Sequence, residues 1–235
     1  MSEGQVVVTG ASRGIGAAIS AELERRGFRV AALSRSGETR VGYGVVCDMS
    51  IEASVSGAIG AVAAKGPIVG LVNNAGAHKA APSATLSAVE FESMMRLNAT
   101  AVLVACREVR AHLAASGEGL IVNIGSFFDK LAVPENLAYC ASKAAVGAIT
   151  RCLAAEWASD GIRVLNVAPG YIETDLNRDF LGRGKVRNWL AKRTPVGRPG
   201  SPEEVARLVG TLFSEKIGFL TGETIYVDGG QGINH

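Results

Sequence analysis

Short apolar runs rich in β-branched residues alternate along this 235-residue chain with longer stretches whose apolar positions recur at helical spacing. A short continuous apolar run bounded by turn residues reads as a strand covered on both faces, whereas a period near ~3.6 residues reads as a helix with one buried side. On that basis the strands are Val6–Thr9, Arg29–Leu33, Gly44–Cys47, Val69–Asn73, Leu120–Ile124, Arg163–Val167 and Thr224–Val227. The helices are Ile15–Arg26, Ser50–Ala64, Val89–Ala115, Ala138–Ser159 and Pro202–Phe213. The last opens Ser201-Pro202-Glu203-Glu204, a capping serine, a first-turn proline and two acids beside the positive helix end.

Strand–helix alternation of this kind predicts an α/β fold, a doubly wound and mostly parallel seven-stranded sheet with helices on both faces. No composition break or Pro/Gly/Ser linker divides the chain, so one domain over residues 1–235 is expected. Gly182–Pro202, rich in Arg, Lys, Gly and Pro, reads as irregular. It is either an ordinary surface excursion or a lid over a site, and because long loops in compact domains usually carry a role a lid is expected, within a substrate loop over about 171–201.

With 48% hydrophobic residues the chain has ample material for a core. Its net charge of +2, from 24 basic and 22 acidic residues without long runs, argues against a nucleic-acid or membrane surface. Cys47, Cys106, Cys140 and Cys152 form no Cys-x-x-Cys pair, and His78, His112 and His235 show no ligand spacing. No metal site and reduced thiols are therefore expected. There is no basic stretch leading into an apolar leader, and no apolar run of membrane-spanning length, so a cytoplasmic protein is expected.

Candidate chemistry lies in four places. Val6–Gly16 is a strand, a Gly-x-x-x-Gly-x-Gly turn at Gly10, Gly14 and Gly16, and a helix start. Such a turn either connects a strand tightly to a helix or lets backbone N–H groups and the helix dipole meet a pyrophosphate. Second, Leu33-Ser34-Arg35-Ser36 carries no acid for an adenosine 2′-hydroxyl. Arg35, with Arg13 from the turn, suits a 2′-phosphate instead, favouring NADP(H) over NAD(H). Third, Tyr139 and Lys143 stand one helical turn apart, thirteen residues after Ser126. An ammonium beside a phenol favours phenolate, so the pair is expected to lower the tyrosine pKa and make it a proton donor to a carbonyl oxygen. Fourth, Asn73-Asn74-Ala75-Gly76 lies between the glycine turn and that pair.

Taken together, Thr9–Gly16, Asn73–Gly76, Asn98, Ser126, Tyr139/Lys143 and Pro169-Gly170 resemble the short-chain dehydrogenase/reductase family from Val6 to Gly230. The second half is similar to its β-ketoacyl-carrier-protein reductases. The resemblance implies a Rossmann-type fold and a catalytic set of Asn98, Ser126, Tyr139 and Lys143, with Asn98 holding a water that relays protons to Lys143. It implies cofactor contacts from Gly10, Ser12, Arg13, Gly14, Ile15, Gly16, Ser34 and Arg35. Asp48 and Met49 are expected to flank the adenine, and Asn74, Ala75 and Gly76 to line the cofactor. Tyr139 and Lys143 are expected to touch it too, with Pro169 and Gly170 beside it and Ile172 and Thr174 at the carboxamide. A homotetramer acting on a small carbonyl or alcohol substrate is also implied.

The expected function is an NADP(H)-dependent interconversion of a ketone and a secondary alcohol. Reduction of 3-oxoacyl-carrier thioesters is the alternative. It is weakened because Ala115–Glu118 and Ser159–Gly161 lack the arginines that would meet an acidic carrier, although Arg178, Arg183, Lys185 and Arg187 offer charge elsewhere. A non-catalytic dinucleotide-binding sensor or scaffold is a further alternative, against which the intact tyrosine and lysine speak. Phe127 and Phe128 either contact an apolar substrate or fill core space.

Overall fold

The structure, a computed structural model, describes residues 4–175, 177, 179 and 184–234. Its strands are β1 (Gln5–Thr9), β2 (Arg29–Ser34), β3 (Tyr43–Val46), β4 (Ile68–Asn73), β5 (Gly119–Ile124), β6 (Ile162–Pro169) and β7 (Thr224–Val227). They form one seven-stranded sheet in the order β3-β2-β1-β4-β5-β6-β7, parallel throughout. The direction of winding reverses between β1 and β4. In sheets of this kind that reversal opens a crevice at the carboxyl ends of the strands, where ligands bind.

Side chains on successive strand residues leave opposite faces of the sheet, which is why the strands are apolar without interruption. Val7, Leu71, Ile121 and Val164 face α2 (Glu52–Ala63), α4 (Ala101–Ser116) and α5 (Leu137–Trp157). Val6, Val8, Val72, Leu120 and Leu165 face α1 (Gly14–Arg25) and α7 (Pro202–Ser214). Ile19 and Leu23 of α1 are fully buried there, each contributing about 1.5–3 kcal/mol of transfer free energy. A buried amide chain crosses the other face. Asn73 Nδ2 donates to Asn123 Oδ1 at 2.9 Å, and Asn123 Nδ2 donates to Thr150 Oγ1 at 2.9 Å. It ties β4 and β5 to α5, the helix that carries Tyr139 and Lys143.

The structure departs from the sequence expectation in two elements. The stretch expected as one helix over Val89–Ala115 is α3 (Ala88–Met95), a π-helical turn over Arg96–Thr100, and α4. Asn98 sits in that turn, 1% exposed, with its carboxamide bonded to the backbone of Ala77, so a polar side chain is accommodated by widening the helix. The segment Gly182–Pro202, expected to be irregular, contains α6 (Gly184–Arg193). Only Leu190 of α6 is buried, so the apolar period that marks a helix is nearly absent from its sequence.

Candidate active site

The glycine turn is fixed by contacts that exclude side chains. Gly10 has a φ of +65°, and a Cβ there would lie 2.9 Å from the Ala75 Cα. A Cβ at Gly16 would lie 2.3 Å from the Gly10 carbonyl oxygen. Beyond the turn, α1 starts with Arg13 as its capping residue, without a side-chain cap and without an acid in the first turn. Its positive end is thus left to an outside anion. Ser12 is exposed and Ile15 half-buried at this end of the helix.

Asn74 is bonded to the glycine turn itself. Its Nδ2 donates to the carbonyls of Thr9 at 3.0 Å and Gly10 at 3.1 Å. In return the Thr9 hydroxyl accepts the N–H groups of Asn74 and Ala75, each at 3.0 Å. The carboxamide therefore latches the segment after β4 onto the glycine turn. Pro169 and Gly170 also serve packing: Gly170 N–H donates to Val227 O at 3.0 Å, and a Cβ at Gly170 would lie 2.7 Å from the Asp228 Cα.

A cavity of about 600 Å³ opens beside the turn, lined among others by Ala11, Arg13, Gly14, Thr39, Arg40 and Thr174. Thr174 reaches the turn, since its Cγ2 would lie 3.6 Å from a Cβ at Gly14. Ile172 is buried and bridges to Gly200. Arg40 was not legible in the sequence. It arrives because β2 joins β3 through the short Arg35–Gly42 link without a crossover helix. Arg35 does not line this cavity; its charge acts near Asp48, whose carboxyl is held below its ordinary pKa by hydrogen bonds from Ser50 and, to a smaller extent, by Arg35. The Ser34 hydroxyl accepts the Gly37 N–H at 3.0 Å, and Met49 is buried beside Cys47.

Ser126, Tyr139, Lys143 and Asn98 converge at the same end of the sheet, although they do not line that cavity. Ser126 lies two residues beyond β5 and caps a 3₁₀ turn over Phe127–Asp129, its Oγ accepting the Phe128 N–H at 3.3 Å. Its hydroxyl also meets the Tyr139 phenol. Lys143 Nζ donates to Ile124 O at 2.8 Å and lies 5.7 Å from the Tyr139 ring centre. Asn98 Oδ1 accepts the Ala77 N–H at 2.9 Å, and its Nδ2 donates to Ala77 O at 2.9 Å and to Ser142 Oγ at 3.1 Å.

The expected depression of the tyrosine pKa is not found in this arrangement. Burial pushes the Tyr139 phenol up, outweighing the hydrogen bond with Ser126 that favours phenolate. The same burial lowers Lys143 to about 8. The ammonium is bonded to the Ile124 carbonyl, and desolvation is the largest influence on both groups.

Gly76 joins the two halves of the site. A Cβ there would lie 3.1 Å from Asn98 Oδ1 and 3.9 Å from Lys143 Nζ, while its neighbour Ala75 abuts Gly10. Close backbone packing at Gly10 and Gly76 thus links the helix terminus to the neighbourhood of the lysine. With an uncapped helix start, two guanidiniums at one cavity and that link, the residues present fit a nicotinamide dinucleotide. Among the described residues no cluster of three or more His, Cys, Asp or Glu suits a metal ion, and no helix is long and apolar enough to cross a membrane.

A family model described as "Enoyl-(Acyl carrier protein) reductase" matches residues 10–231. Gluconate 5-dehydrogenase of Gluconobacter oxydans is 33% identical over 98% of this chain and 95% of its own. D-threitol dehydrogenase of Mycolicibacterium smegmatis is 34% identical over 97% of this chain and 92% of its own. The crystal structure of a gluconate 5-dehydrogenase from Burkholderia cenocepacia in complex with NADP and tartrate superposes with a TM-score of 0.93. It is 33% identical and covers 100% of this chain and 97% of that one. Fold, site and these likenesses agree: the chain belongs to the short-chain dehydrogenase/reductase family and is an NAD(P)-dependent oxidoreductase acting on CH–OH groups.

Proposed function

We propose that this chain uses NADP(H) to interconvert a ketone and a secondary alcohol on a small or medium substrate, within one dinucleotide-binding domain. The observation that carries this reading is the meeting of Ser126, Tyr139 and Lys143 beside Gly76. When bound, the nicotinamide supplies or accepts the hydride. Ser126 donates a hydrogen bond to the carbonyl oxygen, where negative charge develops, and Tyr139 gives that oxygen its proton. Lys143 keeps a positive charge next to the phenol. Asn98, bonded on both sides to Ala77, holds the Gly76–Ala77 backbone against the lysine. Arg13 and Arg40 at the cavity, with Arg35 near Asp48, suit the 2′-phosphate of NADP(H). The relative with bound NADP supports that coenzyme. A cytoplasmic homotetramer accords with four free thiols and with the family likeness.

The test follows NADPH consumption and alcohol formation with ketones, diketones and acyl thioesters. Equimolar turnover of a ketone is expected. NADPH binding without turnover of any member would instead identify a sensor or scaffold.

Reduction of carrier-bound 3-oxoacyl thioesters is a second reading, favoured by α6, where Lys185, Arg187, Lys192 and Arg193 stand without an acid. Against it, Ala115–Glu118 and Ser159–Gly161 lack the arginines that would meet an acidic carrier, and the cations that reach them, Lys216 and Arg110, are paired with Glu118 and Asp160. Arg178 and Arg183 lie outside the described residues. A thioester turned over far faster than any free ketone would favour this reading.

The two displaced pKa values set a pH profile. Tyr139 stays protonated beyond its ordinary value, and Lys143 keeps its charge only below about 8. Reduction, which needs both protonated forms, is expected to hold through neutrality and fall as pH passes about 8. Oxidation needs phenolate as base and is expected to rise with pH. Profiles of kcat/KM in both directions check this; a reduction rate climbing between about pH 7 and pH 9 contradicts it.

A further inference from the structure

Five aromatic side chains from four separate segments form a continuous wall on one side of Tyr139. His78, after β4, meets the Tyr139 ring edge-on at 4.9 Å between centres. Phe128, on the turn after Ser126, meets it at 5.8 Å. Phe128 and Phe127 both touch Tyr171, after β6, at 6.1 Å and 5.3 Å. Tyr171 in turn meets Trp189 of α6 at 5.8 Å. The buried Phe127 and Phe128 back the wall, while His78 and Trp189 are open to solvent.

Among the described residues, several polar groups near this wall are already bonded within the protein. His78 Nε2 bonds Asn136 Oδ1 at 2.6 Å, and Asn136 Nδ2 donates to Pro134 O. Asn98 is held by Ala77 and Ser142, and the Ser142 hydroxyl donates to Tyr139 O. Asn177 is bonded to Ile172 and Thr174. The Arg193 guanidinium lies over the Trp189 ring at 5.8 Å. Where a polyhydroxylated substrate lies on the buried ring faces of Phe127 and Phe128, its hydroxyl groups find no side-chain partner, and each hydroxyl buried so lowers relative binding by about tenfold. A flat ring loses nothing there and adds edge-to-face contacts of the kind the wall already makes.

Resting on the proposed ketone–alcohol activity, we infer that the preferred substrate is a cyclic or aryl ketone, selected by the His78–Phe128–Tyr171–Trp189 wall, and not a polyol or keto-sugar. The chemistry is unchanged: hydride adds to the carbonyl carbon and the Tyr139 proton to its oxygen.

The experiment compares NADPH-dependent reduction of 1-tetralone with that of D-fructose and 5-keto-D-gluconate by the intact protein. For the ring ketone kcat/KM is expected to be about a hundredfold higher, as two unpaired hydroxyls require. Trp189→Ala is expected to raise KM for 1-tetralone about tenfold, with Trp189→Phe restoring it. Trp189 is 42% exposed, so neither change threatens the core. Keto-sugars reduced as efficiently as the ring ketone would overturn the inference and leave the proposed activity standing. An unchanged KM in Trp189→Ala would overturn the role of the wall. Turnover of neither class, with NADPH still bound, would overturn the proposed activity and this inference with it.

Discussion

Tyr139→Phe is expected to lower kcat by about three orders of magnitude, within the range for removing a general acid, while NADPH affinity stays unchanged. The substitution deletes one oxygen and keeps the ring. Contacts of that ring with His78 and Phe128 survive, so the wall and α5 keep their packing. What disappears is the proton bound for the carbonyl oxygen. The Ser126 hydroxyl remains to polarise the carbonyl, so a residual rate is expected rather than none. Steady-state turnover and a fluorescence titration with NADPH, run on the same preparation, check the prediction. Wild-type turnover in the variant would remove Tyr139 from the chemistry. Loss of NADPH binding would show instead that the phenol is part of the nucleotide site.

Much of the fold could be read from periodicity because strands buried on both faces leave a plain trace. Val6–Val8, Leu120–Val122 and Val164–Leu165 are apolar without alternation, and helices on both faces are what such runs require. The nearness of Tyr139 and Lys143 was legible for a different reason: a phenol and an amine one turn apart stay together in any helix, and the accompanying motifs singled that pair out from others at the same spacing. Other features depend on tertiary contacts that spacing does not carry. Asn98 gave no sign that its helix would widen, because the cause is the backbone of Ala77, twenty-one residues away in sequence. Arg40 gave none either, since its place depends on a β2–β3 link that lacks a helix. The α6 helix buries one residue, too few to leave a period. The direction of the Tyr139 shift went the other way from expectation because adjacency in sequence says nothing about desolvation. The hold of the Asn74 carboxamide on the Thr9 and Gly10 carbonyls is likewise a tertiary contact that spacing does not carry.

Combining Arg13→Ala with Arg35→Asp is expected to shift the ratio of kcat/KM for NADPH over NADH toward NADH by about a thousandfold. A hydrogen bond between charged groups contributes about 1.5–3 kcal/mol, so each guanidinium lost from a 2′-phosphate is worth roughly 30-fold. The two changes act differently. Arg13→Ala removes a cation from the mouth of the cavity at the start of α1. Arg35→Asp adds a carboxylate close to Asp48, which repels a phosphate and offers an acceptor to a ribose hydroxyl. Both sites lie on loops away from the buried strands, so NADH turnover should persist and report that the fold is intact. Single variants separate the contributions. If Arg35→Asp alone leaves the coenzyme ratio unchanged while Arg13→Ala collapses it, the phosphate belongs to the cavity shared by Arg13 and Arg40, and Arg40→Ala should then reproduce the loss. If neither single variant changes the ratio, the chain does not distinguish the coenzymes by charge, and the NADP(H) preference fails.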